Sequence, residues 1–244
     1  MPRTALVTGA GRNIGRAIAL AFAQDGMNVV VNGSSDRAAA ESVAAECRAL
    51  GAQALVVMGD VGSEAECNRI AAAALAQFGT VDVLVNNAAL RPLKPFLDST
   101  AEDWRRVMSV DLEAAIWLSR ALIPGMAAQG WGRIVNFTGM NAIHGYAGRA
   151  PVSVAKHGLW GLTKALAKEF AKQGITVNAI SPGPIAADDD QPGKETHRHS
   201  YLAKVPMGRM GTSAEIAAVV RMLVSDGGAY LTGQMLGVNG GAET

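Results

Sequence analysis

The stretch Thr8-Gly9-Ala10-Gly11-Arg12-Asn13-Ile14-Gly15 decides the fold of this chain. The apolar run before it, residues 5–7, predicts a buried strand, and the apolar spacing over 16–24 predicts a helix. A strand, a glycine-rich turn and a helix in this order form a cradle for a pyrophosphate. Glycines let the backbone come close, and the helix N-terminus offers N–H groups and a favourable dipole. Asn13 stands where a third glycine is usual, and asparagine tolerates a left-handed conformation well.

Composition limits the classes of protein that fit. The chain has 244 residues, of which 49% are hydrophobic, enough for one α/β domain with a large core. Its formal net charge of +1 and its scattered basic residues argue against a nucleic-acid partner. No apolar run is long enough to span a membrane, and the chain starts with a strand pattern rather than a signal peptide. Cys47 and Cys67 lie in helical patterns and are expected to be free thiols, so we expect a cytoplasmic protein.

Strand and helix patterns alternate along the chain. The predicted strands are 5–7, 27–32, 53–58, 81–86, 133–137, 176–180 and 234–238. The predicted helices are 16–24, 36–50, 63–78, 101–129, 151–172 and 213–225. This alternation predicts a single α/β domain over residues 1–244: a doubly wound (Rossmann) sheet of about seven parallel strands, with helices on both faces. Residues 187–205 are polar and irregular and are expected to form a mobile substrate flap within it.

Several motifs in a fixed order make the chain resemble the short-chain dehydrogenase/reductase family over essentially its whole length. They are the glycine-rich turn, Asp60-Val61, the Asn-Asn-Ala-Ala run at 86–89, GRIVNFT at 132–138, Lys156, VNAISPGPI at 177–185, PMGRMG at 206–211 and the closing VNGG. The resemblance implies a nicotinamide dinucleotide cofactor, a small carbonyl or alcohol substrate and a homotetramer.

The resemblance also implies a set of cofactor contacts. The glycine-rich turn would line the pyrophosphate and the adenosine ribose through Gly9, Arg12, Asn13, Ile14 and Gly15. Asp60 would accept a hydrogen bond from the adenine amino group, with the Val61 backbone beside it. Lys156 would bind the hydroxyls of the nicotinamide ribose. The remaining contacts would come from Asn87, Ala88, Pro182, Gly183 and Ile185.

The end of the second predicted strand decides which dinucleotide fits. An acidic side chain there would bind the ribose 2′-hydroxyl and repel a 2′-phosphate. This chain has Asn32-Gly33-Ser34-Ser35 instead, with Arg12 nearby. Because hydroxyls and a guanidinium suit a phosphate, the sequence predicts NADP(H) over NAD(H). Arg12 and Ser34 as ordinary loop residues are the alternative.

The catalytic segment departs from the family pattern. The family's acid/base tyrosine, four residues before the lysine, corresponds to Val152, and its serine, thirteen residues before the tyrosine, corresponds to Gly139. The family's asparagine in the fourth helix corresponds to Asp111, and only Lys156 matches. A positioned acid typically contributes about 10²–10⁴ in rate, so another group has to supply it if the protein reduces a carbonyl well.

Five side chains are candidates for this role. Asn141 could face the cavity, and His144 and Tyr146 lie where a substrate should enter, although each is also a common type of packing or rim residue. Asp111 is either paired with Lys156 or a general base, and a desolvated lysine could itself act as a base.

Charges near the expected substrate entrance suggest an anionic substrate. Arg91, Lys94 and Arg149 could bind a carboxylate, although solvated surface charge explains them as well. Residues 187–205 contain Asp188, Asp189, Asp190, His197 and His199, which favour a flexible charged flap, and no metal is expected.

These observations predict an NADP(H)-binding oxidoreductase with a non-standard proton relay. Two alternatives stay open: a lyase, hydrolase or isomerase on the same fold, and a catalytically inactive dinucleotide-binding or subunit protein. The glycine-rich turn and Asp60 favour the interpretations that keep the cofactor. No nucleic acid or membrane partner is expected.

Overall fold

A computed structural model describes residues 2–188 and 205–243. Seven parallel strands form one sheet in the order β3-β2-β1-β4-β5-β6-β7, which confirms the predicted doubly wound architecture. The strands are β1 Thr4–Val7, β2 Asn28–Gly33, β3 Ala54–Met58, β4 Val83–Asn86, β5 Gly132–Phe137, β6 Ile175–Pro182 and β7 Met235–Val238. The helices are α1 Asn13–Gln24, α2 Arg37–Ala49, α3 Glu64–Phe78, α4 Ala101–Met108, α5 Ala114–Gln129, α6 Ala150–Phe170 and α7 Ser213–Val224.

The sheet is buried on both faces because successive strand residues point to opposite sides. In β1, Val7 packs with the core under α1, α2 and α7, which includes Phe22, whereas Leu6 packs with the core under α3 and α5, which includes Leu118. The central strands therefore read as continuous apolar runs, the pattern of a parallel sheet between two helical layers.

The strand order reverses beside β1. This strand pairs with β2 on one side and with β4 on the other. The connection that leaves the carboxyl end of β1 therefore runs towards β2, and the one that leaves β4 runs the opposite way, towards β5. The crevice that opens at such a point is where doubly wound sheets bind their ligands.

The long helix expected over 101–129 is interrupted. Residues Ser109–Glu113 form a π-helical turn between α4 and α5, and Asp111 lies within that turn. A single π-turn inside a helix frequently accompanies a functional site, since it changes the direction of one side chain.

Other expectations concern the thiols and the flap. Cys47 and Cys67 are free and buried, and burial raises the pKa of Cys47 to about 11 and that of Cys67 to about 12. Of the flap predicted over 187–205, residues 189–204 lie outside the part that the structure describes. None of the helices in the described part is long and apolar enough to cross a bilayer.

Candidate active site

The glycine-rich turn after β1 leaves no room for side chains where a phosphate backbone would approach. Gly9 has φ +62° and Asn13 has φ +49°, the left-handed region that asparagine tolerates. A Cβ on Gly15 would lie 2.3 Å from the carbonyl oxygen of Gly9. Arg12, the residue before α1, makes no side-chain cap hydrogen bond. The turn therefore fits a dinucleotide pyrophosphate in its shape and in lying at the N-terminus of a helix.

An anionic side chain of the protein itself lies against this helix N-terminus. The Asp188 carboxylate accepts a hydrogen bond of 2.8 Å from the backbone N–H of Asn13, and Asn13 Oδ1 accepts one of 2.9 Å from the backbone N–H of Asp188. A carboxylate is stabilised there for the same reason as a phosphate would be, since both respond to the N–H groups and the helix dipole.

The turn is clamped to the end of β4. Thr8 Oγ1 accepts hydrogen bonds of 3.0 Å from the backbone N–H groups of Asn87 and Ala88. Asn87 Nδ2 donates to the carbonyl oxygens of Thr8 and Gly9, at 2.9 and 3.1 Å. Asn87 and Ala88 thus form one wall of the crevice, and the Asn87 amide is engaged in holding the turn.

Asp60 follows β3 on the adenine side expected from the motif. Its Oδ1 accepts a hydrogen bond of 2.9 Å from the Gly62 N–H, and its Oδ2 lies 2.9 Å from Arg106. Partial burial acts to raise the pKa of Asp60, but these two partners outweigh burial and lower it. The carboxylate is therefore ionised and able to accept further hydrogen bonds.

The end of β2 carries hydroxyl and basic groups. Ser34 and Arg12 are exposed, and the acidic residue that follows them, Asp36, accepts a hydrogen bond of 2.9 Å from the Ala39 N–H at the start of α2. Arg37, at the start of α2, is also exposed and lies 3.7 Å from Glu41. Arg37 was not among the residues predicted from the sequence to lie near the cofactor. Its position three residues after Ser34 could have indicated it.

Lys156 and Asp111 form a buried pair. Lys156 Nζ donates a hydrogen bond of 2.8 Å to the carbonyl oxygen of Phe137 and lies 3.4 Å from Asp111 Oδ2. Asp111 Oδ1 accepts a hydrogen bond of 2.7 Å from the Leu90 N–H. Burial lowers the pKa of Lys156 and raises that of Asp111, and in each case the partner's charge opposes the shift. The π-turn is what brings Asp111 to Lys156.

A small cavity lies beside this pair. Asn86 and Thr8 line it together with Asp111 and Lys156. The buried Oδ1 of Asn86 has no hydrogen-bond partner among the described residues, and Oδ2 of Asp111 has only the Lys156 ammonium, 3.4 Å away. A polar cavity with orphaned acceptors is where one ordered water typically binds.

The two positions where the sequence departs from the family pattern have distinct surroundings. Val152 lies one turn before Lys156 on α6, is fully buried and packs with Val107 and Ala155. Gly139 follows β5 with φ +77° and ψ 172°, and the position of its missing Cβ is open space. Thr138 is no substitute for a serine here, because its hydroxyl donates a hydrogen bond of 3.1 Å to the Ile180 carbonyl.

The loop after β5 brings the other candidates to the same edge of the sheet. Asn141 has a buried Oδ1 without a hydrogen-bond partner in the described part. Tyr146 is about one-third exposed and His144 about half exposed. His144 Nε2 lies 3.7 Å from Oε1 of Glu243, a residue that the sequence analysis missed. No local pattern signals Glu243, since only the fold brings it to this loop.

The segment after β6 completes the carboxyl edge. Gly183 N–H donates to the Val238 carbonyl at 3.1 Å, and a Cβ on Gly183 would lie 2.7 Å from Asn239 Cα. Pro182 ends β6, and Ile185 forms an isolated bridge with Gly211. These residues follow the carboxyl end of β6, and their contact with a cofactor stays a prediction.

The basic residues expected at the entrance differ in their partners. Lys94 lies 2.5 Å from Asp103 and is neutralised. Arg91 and Arg149 have no acidic partner within 4 Å among the described residues. Desolvation and the charge of Arg149 lower the pKa of Arg91, and Asp111 opposes this shift. Asp189, Asp190, His197 and His199 lie outside the described residues.

Comparisons with known proteins place the whole chain in one family. The family model described as enoyl-(acyl carrier protein) reductase matches residues 9–243. A 3-oxoacyl-[acyl-carrier-protein] reductase of Synechocystis sp. is 40% identical over 240 residues, which cover 98% of this chain and 96% of that protein. Nodulation protein G of Azospirillum brasilense is 39% identical, with 98% and 97% covered.

A solved structure is similar over the same length. The crystal structure of acetoin dehydrogenase from Salmonella typhimurium superposes with a TM-score of 0.91 at 34% identity, covering 99% of this chain and 96% of that one. The glycine-rich turn, the buried lysine and these full-length matches lead to one conclusion. The chain belongs to the short-chain dehydrogenase/reductase family of nicotinamide-dependent oxidoreductases.

Proposed function

We propose that the protein is an NADP(H)-dependent oxidoreductase that interconverts a small carbonyl compound and its alcohol through a proton relay lacking the family's serine and tyrosine. The observation that carries this proposal is the buried Lys156, held by Phe137 and Asp111 at the carboxyl edge beside a glycine-rich turn with room for phosphates. The dinucleotide supplies or accepts the hydride when it is bound.

The preference for NADP(H) rests on charge at the end of β2. Arg12, Ser34 and Arg37 are exposed there, and residues 32–35, where an acidic side chain would repel a 2′-phosphate, contain none. The nearby Asp36 carboxylate caps α2 by accepting from the Ala39 N–H. A guanidinium paired with phosphate forms strong, charge-assisted hydrogen bonds. Asp60 is ionised next to Gly62 and Arg106, and it would accept a hydrogen bond from the adenine amino group.

Lys156 and Asp111 orient the nicotinamide end in this proposal. One donor of the Lys156 ammonium binds the Phe137 carbonyl, and the others are available to Asp111 and to a ribose hydroxyl. Asp111 Oδ1 accepts a hydrogen bond from the Leu90 N–H, which fixes the loop after β4. Asp111 is engaged by two partners, which favours a supporting role over that of a general base.

The relay has to come from the loop after β5. Val152 is apolar and buried, so its side chain cannot donate a proton to the carbonyl oxygen of the substrate. Asn141, His144 and Tyr146 lie on the loop instead, and His144 or Tyr146 can exchange a proton. Asn141 can orient a water or the substrate but cannot supply a proton.

The substrate is proposed to be small and anionic. Arg91 and Arg149 lie at the entrance without acidic partners among the described residues, whereas Lys94 is neutralised by Asp103. A carboxylate next to the reacting carbonyl would bind both guanidinium groups. We propose a homotetramer in solution, which light scattering tests directly.

The experiment is a fluorescence titration with NADPH and NADH side by side, followed by turnover of diacetyl, 3-oxobutanoate and an acetoacetyl thioester. Arg12→Ala and Ser34→Asp should each weaken NADPH binding by about tenfold or more, because each removes a favourable charge or adds a repulsive one. NADH lacks the 2′-phosphate and is the internal control. Failure to bind either dinucleotide would refute the proposal, and an unchanged KM for 3-oxobutanoate in Arg91→Ala would refute the anionic substrate.

A further inference from the structure

A buried carboxylate lies at the carboxyl edge of the sheet, outside the residues considered so far for catalysis. The side chain of Glu243 is only 4% exposed. Its Oε2 accepts hydrogen bonds of 3.0 Å from Ser181 Oγ and 3.3 Å from Asn239 Nδ2. Its Oε1 accepts no hydrogen bond from any described residue. A buried, half-satisfied carboxylate is costly and indicates a functional role or an unseen partner.

The chain reaches this place through a turn that needs glycine. Gly240 and Gly241 have φ of +64° and +84°. Asn239 closes the turn, because its Oδ1 accepts from the Gly241 N–H and its carbonyl oxygen accepts from the Ala242 N–H. The chain therefore folds back over the end of β6, where the nicotinamide end of a dinucleotide is expected.

The unsatisfied oxygen faces a histidine. Glu243 Oε1 lies 3.7 Å from His144 Nε2, and no other basic group in the described part lies within 4 Å of this carboxylate. The imidazole is about half exposed and belongs to the loop after β5, the segment where the family's serine would be. One side of the ring thus meets a buried carboxylate, while about half of the side chain is exposed.

We propose that Glu243 is a positioning residue that orients the His144 imidazole, and that His144 carries the proton exchanged with the substrate oxygen. The inference rests on the proposed carbonyl reduction. A buried carboxylate fixes an imidazole in the same way within the Ser-His-Asp arrangement, where it selects the orientation and the tautomer of the ring. Here Nε2 is the nitrogen next to Glu243, which leaves Nδ1 to exchange the proton in this proposal.

The proton and electron movements balance. In the reduction direction the carbonyl carbon accepts a hydride, and the π pair of the C=O bond moves onto the oxygen. That oxygen takes the proton from Nδ1 of the His144 imidazolium and becomes a hydroxyl. The neutral imidazole then regains a proton from water, which reaches it because the ring is half exposed.

The test is a double-mutant cycle combined with nitrogen NMR. His144→Asn should lower kcat by about 10²–10⁴, the usual value of a positioned acid. Glu243→Gln keeps an acceptor for Ser181 and should lower kcat by about tenfold or more without changing the affinity for NADPH. If Glu243 acts through His144, the double variant should be no slower than His144→Asn, because residues that act as a unit are non-additive. Glu169→Gln, an exposed glutamate at the end of α6, is the matched control.

The NMR measurement separates this inference from the proposed function. With ¹⁵N-labelled histidine, Glu243→Gln should shift the imidazole resonances of His144 and leave those of His157 unchanged. Unchanged His144 resonances, or losses of kcat that add in the double variant, would overturn the inference. If the wild-type protein binds NADPH but reduces no carbonyl, the proposed function fails and the proton-transfer role of His144 fails with it. The NMR shift then still decides whether Glu243 orients the ring.

Discussion

Introducing the family's missing pair, Gly139→Ser with Val152→Tyr, should destabilise this protein. Gly139 has φ +77° and ψ 172°, a backbone region that is essentially confined to glycine, so a serine there costs about 1–3 kcal/mol. No atom lies within 4 Å of the added Cβ, so the cost is backbone strain and not a clash. Val152 is fully buried, and forcing a phenol into its cluster costs about 1–3 kcal/mol more.

The two costs should add to about 2–6 kcal/mol if the sites are independent. For a chain of this length each kcal/mol lowers Tm by about 2–4 °C, so we expect a fall in Tm of about 4–24 °C in thermal unfolding. Gly139→Ala measures the strain without a hydroxyl, and Val152→Phe measures the volume without a hydroxyl. A Tm of Gly139→Ala equal to that of the wild type would refute the strain argument.

Carbonyl reduction by the folded fraction of the double variant is the second measurement. An increase of about 10² or more would show that the scaffold lacks only the family's acid and its hydrogen-bonding partner. No increase, in a variant that still binds NADPH, would show that the backbone around Gly139 has adapted to a different relay.

Three further predictions concern the turn, its capping carboxylate and acid stability. Gly15→Ala should abolish dinucleotide binding without unfolding the protein, because its Cβ would lie 2.3 Å from the Gly9 carbonyl oxygen; unchanged affinity in the titration would contradict this. Asp188→Ala should tighten dinucleotide binding by about 5- to 10-fold, since the pyrophosphate no longer competes for the Asn13 N–H; equal or weaker binding would contradict it. Hydrogen bonds from Lys94 and Thr100 lower the pKa of Asp103 to about 2. The ionised Asp103 carboxylate therefore stabilises the fold above its ordinary pKa, and this stabilisation is lost as the pH falls from about 4 towards 2. In Asp103→Asn, Tm should depend less on pH over that range, and an unchanged acid profile would contradict this.

The fold could be predicted from the sequence because its signals are local. Runs of three to six residues mark the strands, and the predicted helix 36–50 begins at Asp36, whose side chain accepts from the Ala39 N–H. The glycine-rich turn predicted the crevice at the end of β1, where the strand order does reverse. The sequence patterns missed the π-turn around Asp111, since periodicity does not report one extra residue in a turn.

The sequence by itself thus determined the sheet, its helical layers and the glycine-rich turn after β1. Only the tertiary structure decided which side chains from distant parts of the sequence come into contact at the carboxyl edge of the sheet. It brought Glu243 to His144, and Asp188 to Asn13, a residue 175 positions away in the chain. Such contacts depend on strand order and on backbone conformations such as those of Gly240 and Gly241. Local propensity encodes each element within a few residues, whereas the meeting of distant side chains is set by how all the elements pack together.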